Sequence, residues 1–450
     1  MRIELAAPAR FTQLLQERYN RDTLPEIGGI TIDSRQVQRG DLFIAIVGNI
    51  ADGHDYIPQA MDSGAVAAMV EREVAALPDH QTLIKVANTI REIGELGRIW
   101  RELNPIPLCA ITGSNGKTTT KNLVLSVLAQ KYNVIGTSKS YNSTIGLPLT
   151  LLQIDLEDEI AVIEMGSNQP GEIAYLCNIA KPDTALITNI SATHVASLKS
   201  VEGVIQEKET LFRALSGKGT AIVNIDDPAI AEMETAAHRY TYSLVQSADV
   251  AGTYEEQESE AFLLLNPSSR IRLPLTGKHF AQNALAAVAV GLLFNVPEGD
   301  IQYGIENSPT PKGRGARLQY NGISVIDDTY NANPASVLAG LETLENLPTK
   351  GQRIVVLADM LELGHYSEAF HRQVGEFAAK NKVDILYCYG SETRSTYCSA
   401  IEAGLEAYHY SDKNTLVYAL KQRVSEGDTV YLKGSRSMEL ETVIQEVFHS

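Results

Sequence analysis

The residues best suited to chemistry sit in one run, ITGSNGKTTTK, from Ile111 to Lys121. Gly113 and Gly116 let the backbone curl so that its N–H groups point at phosphate oxygens, and a helix starting there adds the positive end of its dipole. Ser114, Asn115 and Thr119 complete the cradle. Lys117 offers a point charge to the β- and γ-phosphates, and the Thr118 hydroxyl suits Mg2+. The loop is shorter than the general GxxxxGK[ST] pattern, whose first glycine would fall at Ile111. A buried strand before it and a helix after it are the setting a nucleoside triphosphate needs, so ATP binding is the expectation.

Other polar residues stand at the ends of apolar runs. Glu164 closes IAVIEMG, which brings its carboxylate to the crevice at the carboxyl edge of a parallel sheet. A strand-end Glu is more often merely solvated, but beside a phosphate loop it reads as a Mg2+ ligand. His194 follows the strand TALITNI and the turn Ser191-Ala192-Thr193, where a lone His is more often structural than functional. Lys208, in VIQEKETLF, reads from its helix alone as a surface lysine. Asp327 and Asp328 end another strand and point to opposite faces of it, one into the crevice and one behind.

The elements that must position these groups are α/β layers. At 450 residues the chain has room for three domains of roughly 150 residues each, and short β-branched runs alternate with helical patterns nearly throughout. A helical run from Thr89 to Leu103 leads into Asn104-Pro105-Ile106-Pro107, which cannot continue it. SPTPKGRGAR, Ser308–Arg317, marks a second joint. The expected division is 1–84, 85–314 and 315–450.

The 44% hydrophobic content excludes a disordered chain, and a formal net charge of −17 argues against nucleic acid as a partner. Cys109, Cys177, Cys388 and Cys398 form no CxxC pair, so free thiols in a reducing, cytoplasmic setting are expected. No run approaches the roughly 18 apolar residues of a membrane span, and MRIELAAPARFTQLL has no apolar core of signal-peptide length, so no secretory leader is expected.

Taken together, TGSNGKTTTK, EMG, NISATH, GKHFAQNALAA, GRGAR and VIDDTYNANP resemble, in that order, the motifs of the Mur ligases, ATP-dependent amide ligases of peptidoglycan synthesis. The resemblance implies a small N-terminal α/β domain for a UDP precursor, a central P-loop ATPase-like domain with a mostly parallel sheet, and a C-terminal Rossmann-like domain. DSRQVQRGDLFIAIVGNIADGHDYI, VLADMLELG and YLKGSRSMELE are similar to the branch that adds a terminal D-Ala-D-Ala to a UDP-N-acetylmuramoyl-tripeptide. The DYAH-type and DNPR-type motifs of the third-residue enzymes are absent.

By position, the resemblance implies ATP and Mg2+ held by Lys117 and Thr118, with Glu164, His194 and a carbamylated Lys208 serving a second Mg2+. It places Asn283 near the adenine, Asp328 near the ribose, and Arg314 or Arg317 at the γ-phosphate. Ser34 and Arg35 fall in the UDP-sugar domain, Asn142, Asn331 and Asn333 at the substrate, and Ser435 and Arg436 at the incoming dipeptide, whose carboxylate an Arg can clamp. A monomer is implied. Ser143-Thr144, Phe280 and Thr210 depart from the family's usual Asn-Glu, Asn and Glu.

Overall fold

Leu108 and Ala110 of the strand Leu108–Thr112 lie in one buried cluster, while Cys109 and Ile111 lie in another. Ile160–Glu164 divides in the same way, Ala161 and Ile163 joining the first cluster and Ile160 and Val162 the second. Successive strand side chains point to opposite faces. A run with no polar residue therefore belongs to a sheet covered on both sides.

The computed structural model describes residues 1–48, 50–74, 82–138, 141–257, 260–266 and 269–449. Its central sheet has seven parallel strands in the order Val250–Ala251, His238–Ser243, Thr220–Asn224, Thr184–Ile187, Leu108–Thr112, Ile160–Glu164, Val134–Gly136. Helices Thr89–Leu103, Gly146–Leu151 and Glu172–Ala180 contribute to the cluster on one face; the phosphate-loop helix Lys117–Leu128 and the Ala-rich helix Lys278–Leu293 contribute to the other. From Leu108–Thr112 the chain first builds strands on one side and then crosses to the other. The carboxyl ends of this strand and its two neighbours therefore open on a switch-point crevice, where α/β sheets take ligands.

The N-terminal sheet has five strands, Arg2–Glu4 antiparallel to Gly29–Thr31, followed in parallel by Asp41–Ile44, Ala67–Val70 and Thr82–Lys85. Trp100 joins this domain to the next: it is fully buried, takes Phe11 edge-on at 5.9 Å between centroids, and donates its indole N–H to the Ile154 carbonyl at 2.9 Å. The C-terminal sheet has six strands, ordered Ala316–Tyr320, Ile323–Asp328, Thr429–Lys433, Arg353–Ala358, Ile385–Tyr389, Glu406–Tyr410, with only the first antiparallel.

The α/β class and mostly parallel sheets are as expected. The small antiparallel sheet of Thr253–Gln257, Glu260–Asn266 and Ser269–Leu273 is not. Only alternate residues, such as Ala261, Leu263, Ile271 and Leu273, bury against the Ala-rich helix; the continuous apolar run over residues 261–265 hides that alternation in one strand, while Arg270 and Arg272 flank the buried positions of the other. Cys109, Cys177 and Cys388 are buried free thiols and Cys398 is half-buried. Among the described residues no helix is long and apolar enough to cross a membrane.

Candidate active site

The phosphate loop is shaped by its glycines and braced from the neighbouring strand. Gly113 has φ +141°, and a Cβ there would lie 2.0 Å from the Thr188 hydroxyl; Gly116 has φ +78° and precedes the helix Lys117–Leu128. The Ser114 N–H donates to the Asn189 carbonyl at 2.9 Å and the Asn115 N–H to Asn189 Oδ1 at 3.0 Å. Thr188 Oγ1 and Asn189 Nδ2 both donate to the Asn115 carbonyl, at 2.5 and 3.0 Å. Ser114 Oγ donates to the Ser191 carbonyl at 3.1 Å. The NISATH segment is thus the outer wall of the loop. The N–H groups of Lys117, Thr118 and Thr119 form the first helical turn, which has no intrahelical acceptor and suits phosphate oxygens.

Two groups stand at the base of this cradle. Thr118 Oγ1 donates to Glu164 Oε2 at 2.9 Å, and Asn142 Nδ2 donates to Glu164 Oε1 at 2.7 Å. Asn142, expected at the substrate, lines the cavity and gives its amide to the carboxylate, aiming it. Lys117 Nζ donates to the carbonyls of Gly113 and Ser114 at 2.7 and 3.2 Å, which holds the ammonium over the loop. Burial, with Arg314 nearby, lowers its pKa, and Glu164 opposes that.

The C-terminal domain supplies the opposite wall of a cavity of about 920 Å³. Gly315 N–H donates to the Asp327 carbonyl at 2.8 Å and Tyr330 N–H to the Gly313 carbonyl at 2.9 Å, so Arg314 travels with this domain. Its Nη2 reaches Thr118 Oγ1 at 3.1 Å, and its guanidinium lies 4.0 Å from the Tyr330 ring centroid. Arg317, three residues on, donates to the Thr276 hydroxyl further along the cavity. Of the pair left open by the sequence, Arg314 is the one that stands at the phosphate loop.

Asn333 caps the helix Pro334–Asn346 and, from the same carboxamide, donates to Asn115 Oδ1 at 2.5 Å. Both ends of a group expected at the substrate are therefore taken by protein. Asn331 lines the cavity and is exposed. Asp328 pairs in register with Lys433 across adjacent strands; its Oδ2 accepts from Lys433 Nζ at 2.6 Å and Tyr431 Oη at 2.9 Å. Both bonds fall on one oxygen. Asp327 accepts from Thr329 behind it. Asn283 lines the cavity with its carboxamide against Gly116, where a Cβ would come within 2.6 Å of Oδ1.

Lys208 corrects the sequence reading most sharply. It is not a surface lysine: it is 1% exposed, and its Nζ donates to the Ser167 hydroxyl on the cavity wall at 2.8 Å. Burial, helped by the Lys117 charge, pushes its pKa down to about 7. His194 lines the cavity with Nδ1 against the Glu362 carboxylate of the C-terminal domain. Burial lowers its pKa, with Lys117 and Lys208 acting the same way and Glu362 opposing.

Ser435 lines the cavity, where its Oγ accepts the Leu361 N–H at 2.9 Å, while Arg436 is tied to Glu441 at 2.5 Å. Ser34 and Arg35 lie away from this cavity in the N-terminal domain, Ser34 donating to Gln59 at 3.0 Å and Arg35 forked onto Asp33 at 2.9 Å. Sequence reasoning missed Thr188 and Asn189 as braces, Asn142 as the carboxylate's aim, and Lys433 and Glu362 altogether. Only the polar ends of their strands and loops signalled them.

The Mur ligase middle domain matches residues 111–291, the Mur ligase glutamate ligase domain residues 313–436, and the Mur ligase family catalytic domain residues 26–96. The chain belongs to the Mur ligase family. This Mur ligase is 36% identical over 427 residues to the UDP-N-acetylmuramoyl-tripeptide–D-alanyl-D-alanine ligase of Synechocystis, covering 94% of this chain and 92% of that protein. Its fold matches a MurF from Acinetobacter baumannii with a TM-score of 0.87 at 31% identity, over 97% of this chain and 98% of the other. It also matches a MurF from Thermotoga maritima in complex with ADP, with a TM-score of 0.81 at 26% identity over 93% and 97% of the two chains.

Whether Mg2+ suits this Mur ligase can be judged from its donor set. Among the described residues no group of three or more His, Cys, Asp or Glu gathers to cage a metal. A hydroxyl and a carboxylate 2.9 Å apart beside a phosphate loop fit a different mode. Mg2+ is commonly held by one or two protein groups together with substrate phosphates and water, and Thr118 with Glu164 meets that requirement.

Proposed function

We propose that this Mur ligase uses ATP to add D-alanyl-D-alanine to a UDP-N-acetylmuramoyl-tripeptide, as a cytoplasmic monomer in peptidoglycan precursor synthesis. The observation that carries the reading is Arg314 of the C-terminal domain reaching Thr118 of the phosphate loop at 3.1 Å. Triphosphate-binding and C-terminal groups share one cavity within a single chain, which suits a reaction that joins ATP cleavage to the arrival of a second substrate. The activity for which the Synechocystis relative is named supplies the substrates.

A carboxylate is a poor electrophile and must be activated before an amine can attack it. In the proposed path a carboxylate oxygen of the tripeptide attacks the γ-phosphorus, the bond to the β,γ-bridging oxygen breaks, and ADP leaves. Lys117 and Arg314 stabilise the charge that gathers on the transferred phosphoryl oxygens. Bound Mg2+, held by Thr118 and Glu164, supplies further charge neutralisation of the triphosphate. The neutral amine of the dipeptide then attacks the acyl carbon, the C–O bond to phosphate breaks, and the nitrogen gives up its proton. The cavity walls from two domains keep water from the acyl phosphate.

Lys208 fits carbamylation, because only a neutral amine attacks CO2, and burial beside Lys117 makes this one neutral above about pH 7. The product would be a carboxylate near the Lys117 charge, and with His194 it would serve a second Mg2+. Asn283 and Asp328 are assigned to the nucleoside, Ser34 and Arg35 to the UDP end, and Ser435 and Arg436 to the dipeptide. For the last role Arg436 must exchange Glu441 for the dipeptide carboxylate.

A substrate panel read by mass spectrometry tests the activity. With ATP and the UDP-tripeptide, the expected product has the mass of the precursor plus D-Ala-D-Ala less one water. Ligation of glutamate, lysine or meso-diaminopimelate to a shorter precursor, with none of the dipeptide, would overturn it.

A further inference from the structure

The loop after the strand Arg353–Ala358 lies against the segment that follows His194, and the contact has several parts. The Ala196 N–H donates to the Glu362 carbonyl at 3.2 Å, and the Glu362 carboxylate meets His194 Nδ1. Met360 and Leu363 bury in one cluster with Val195 and Leu198 of the central domain. His194 has φ 53° and Glu362 φ 64°, so two non-glycine residues face each other in the left-handed region. Such conformations persist where surrounding contacts enforce them, and they gather at functional sites.

The apolar contact and the main-chain bond are enough to dock the two segments. The Glu362 side chain is 59% exposed, and an exposed carboxylate adds little to docking. Its distinctive effect is on the ring. Imidazole has two nitrogens, and the hydrogen bond made by one decides which is left to ligate and where it points.

We propose that Glu362 is a positioning residue for His194: when the C-terminal domain docks, its carboxylate accepts the Nδ1–H and leaves Nε2 as the metal-binding nitrogen. The inference rests on the assignment of His194 to a metal site made above. It makes the metal site complete only when the C-terminal domain is in place, so that ligand geometry and domain docking are one event.

The test is a Mn2+ titration of the full chain with ADP bound, followed by electron paramagnetic resonance of free Mn2+. His194→Ala identifies the step that belongs to this site. Glu362→Ala is expected to weaken that step about 10- to 100-fold, while Glu362→Gln, whose amide oxygen still accepts, stays close to the parent. Adding Glu362→Ala to His194→Ala is expected to cost nothing more, since the two act as a unit. Each variant's unfolding temperature, expected near the parent's, shows that the fold is kept. An unchanged step in Glu362→Ala, beside a weakened one in His194→Ala, overturns the positioning role and leaves the metal assignment standing. Additive losses in the double variant overturn it as well. No effect of His194→Ala overturns the metal assignment and the inference with it.

Discussion

Lys117→Ala is expected to lower kcat/KM by roughly a thousandfold or more, the scale on which preorganised charge acts on a transferring phosphoryl group. The ammonium is already held over the loop by the carbonyls of Gly113 and Ser114, so little reorganisation is needed when phosphate replaces them. Partial burial of Lys117 raises the worth of its charge, because water screens it less there. Steady-state kinetics with a competent substrate set checks this, and an unfolding temperature near the parent's separates the effect from loss of fold. Turnover within tenfold of the parent would show that the triphosphate lies elsewhere.

Lys208→Ala carries the second large effect, a loss on the order of a hundredfold, comparable to removing a partner that tunes a metal site. Added formate or acetate is expected to restore part of it by placing a carboxylate where the carbamate stood. The parent should also depend on dissolved CO2, with the carbamate forming more readily at pH 8 than at pH 6. Below about pH 7 the amine is protonated and cannot attack CO2; above it the neutral form predominates. Absence of rescue at any carboxylate concentration, with no CO2 dependence, would remove the carbamate from the account.

The parts of the site legible in the sequence are those set by local geometry. The loop from Gly113 to Thr119 and Glu164 at a strand end follow from short continuous apolar runs that stop at a polar residue. The parts that were not legible depend on how domains meet. Arg314 and Arg317 are three residues apart with the same chemistry, and only docking sends the first to Thr118 and the second to Thr276.

Lys208 illustrates the limit in a different way. Its helix, Val201–Arg213, has charges on several faces, and nothing within it says which face is covered; Glu207 and Glu209 are buried beside it. Glu207 holds the N–H groups of Gly171 and Ile173 at 2.7 and 2.8 Å, so the start of the helix Glu172–Ala180 consumes a charge that the sequence leaves to solvent. Asn142 and Asn333 line the cavity, and their amides bind Glu164 and Asn115, partners that only the folded chain brings to them. The acidic total of −17 is likewise no obstacle to ATP and a UDP-sugar, since Lys117 and Arg314 gather at the phosphate loop.

Isotope transfer tests the central claim most directly. The UDP-tripeptide is labelled with 18O in its terminal carboxylate and turned over with ATP and D-Ala-D-Ala, and the released phosphate is analysed by mass spectrometry. Attack of the carboxylate on the γ-phosphorus predicts one 18O atom in each phosphate formed from fully labelled substrate. Unlabelled phosphate released in step with amide product would contradict the acyl-phosphate path.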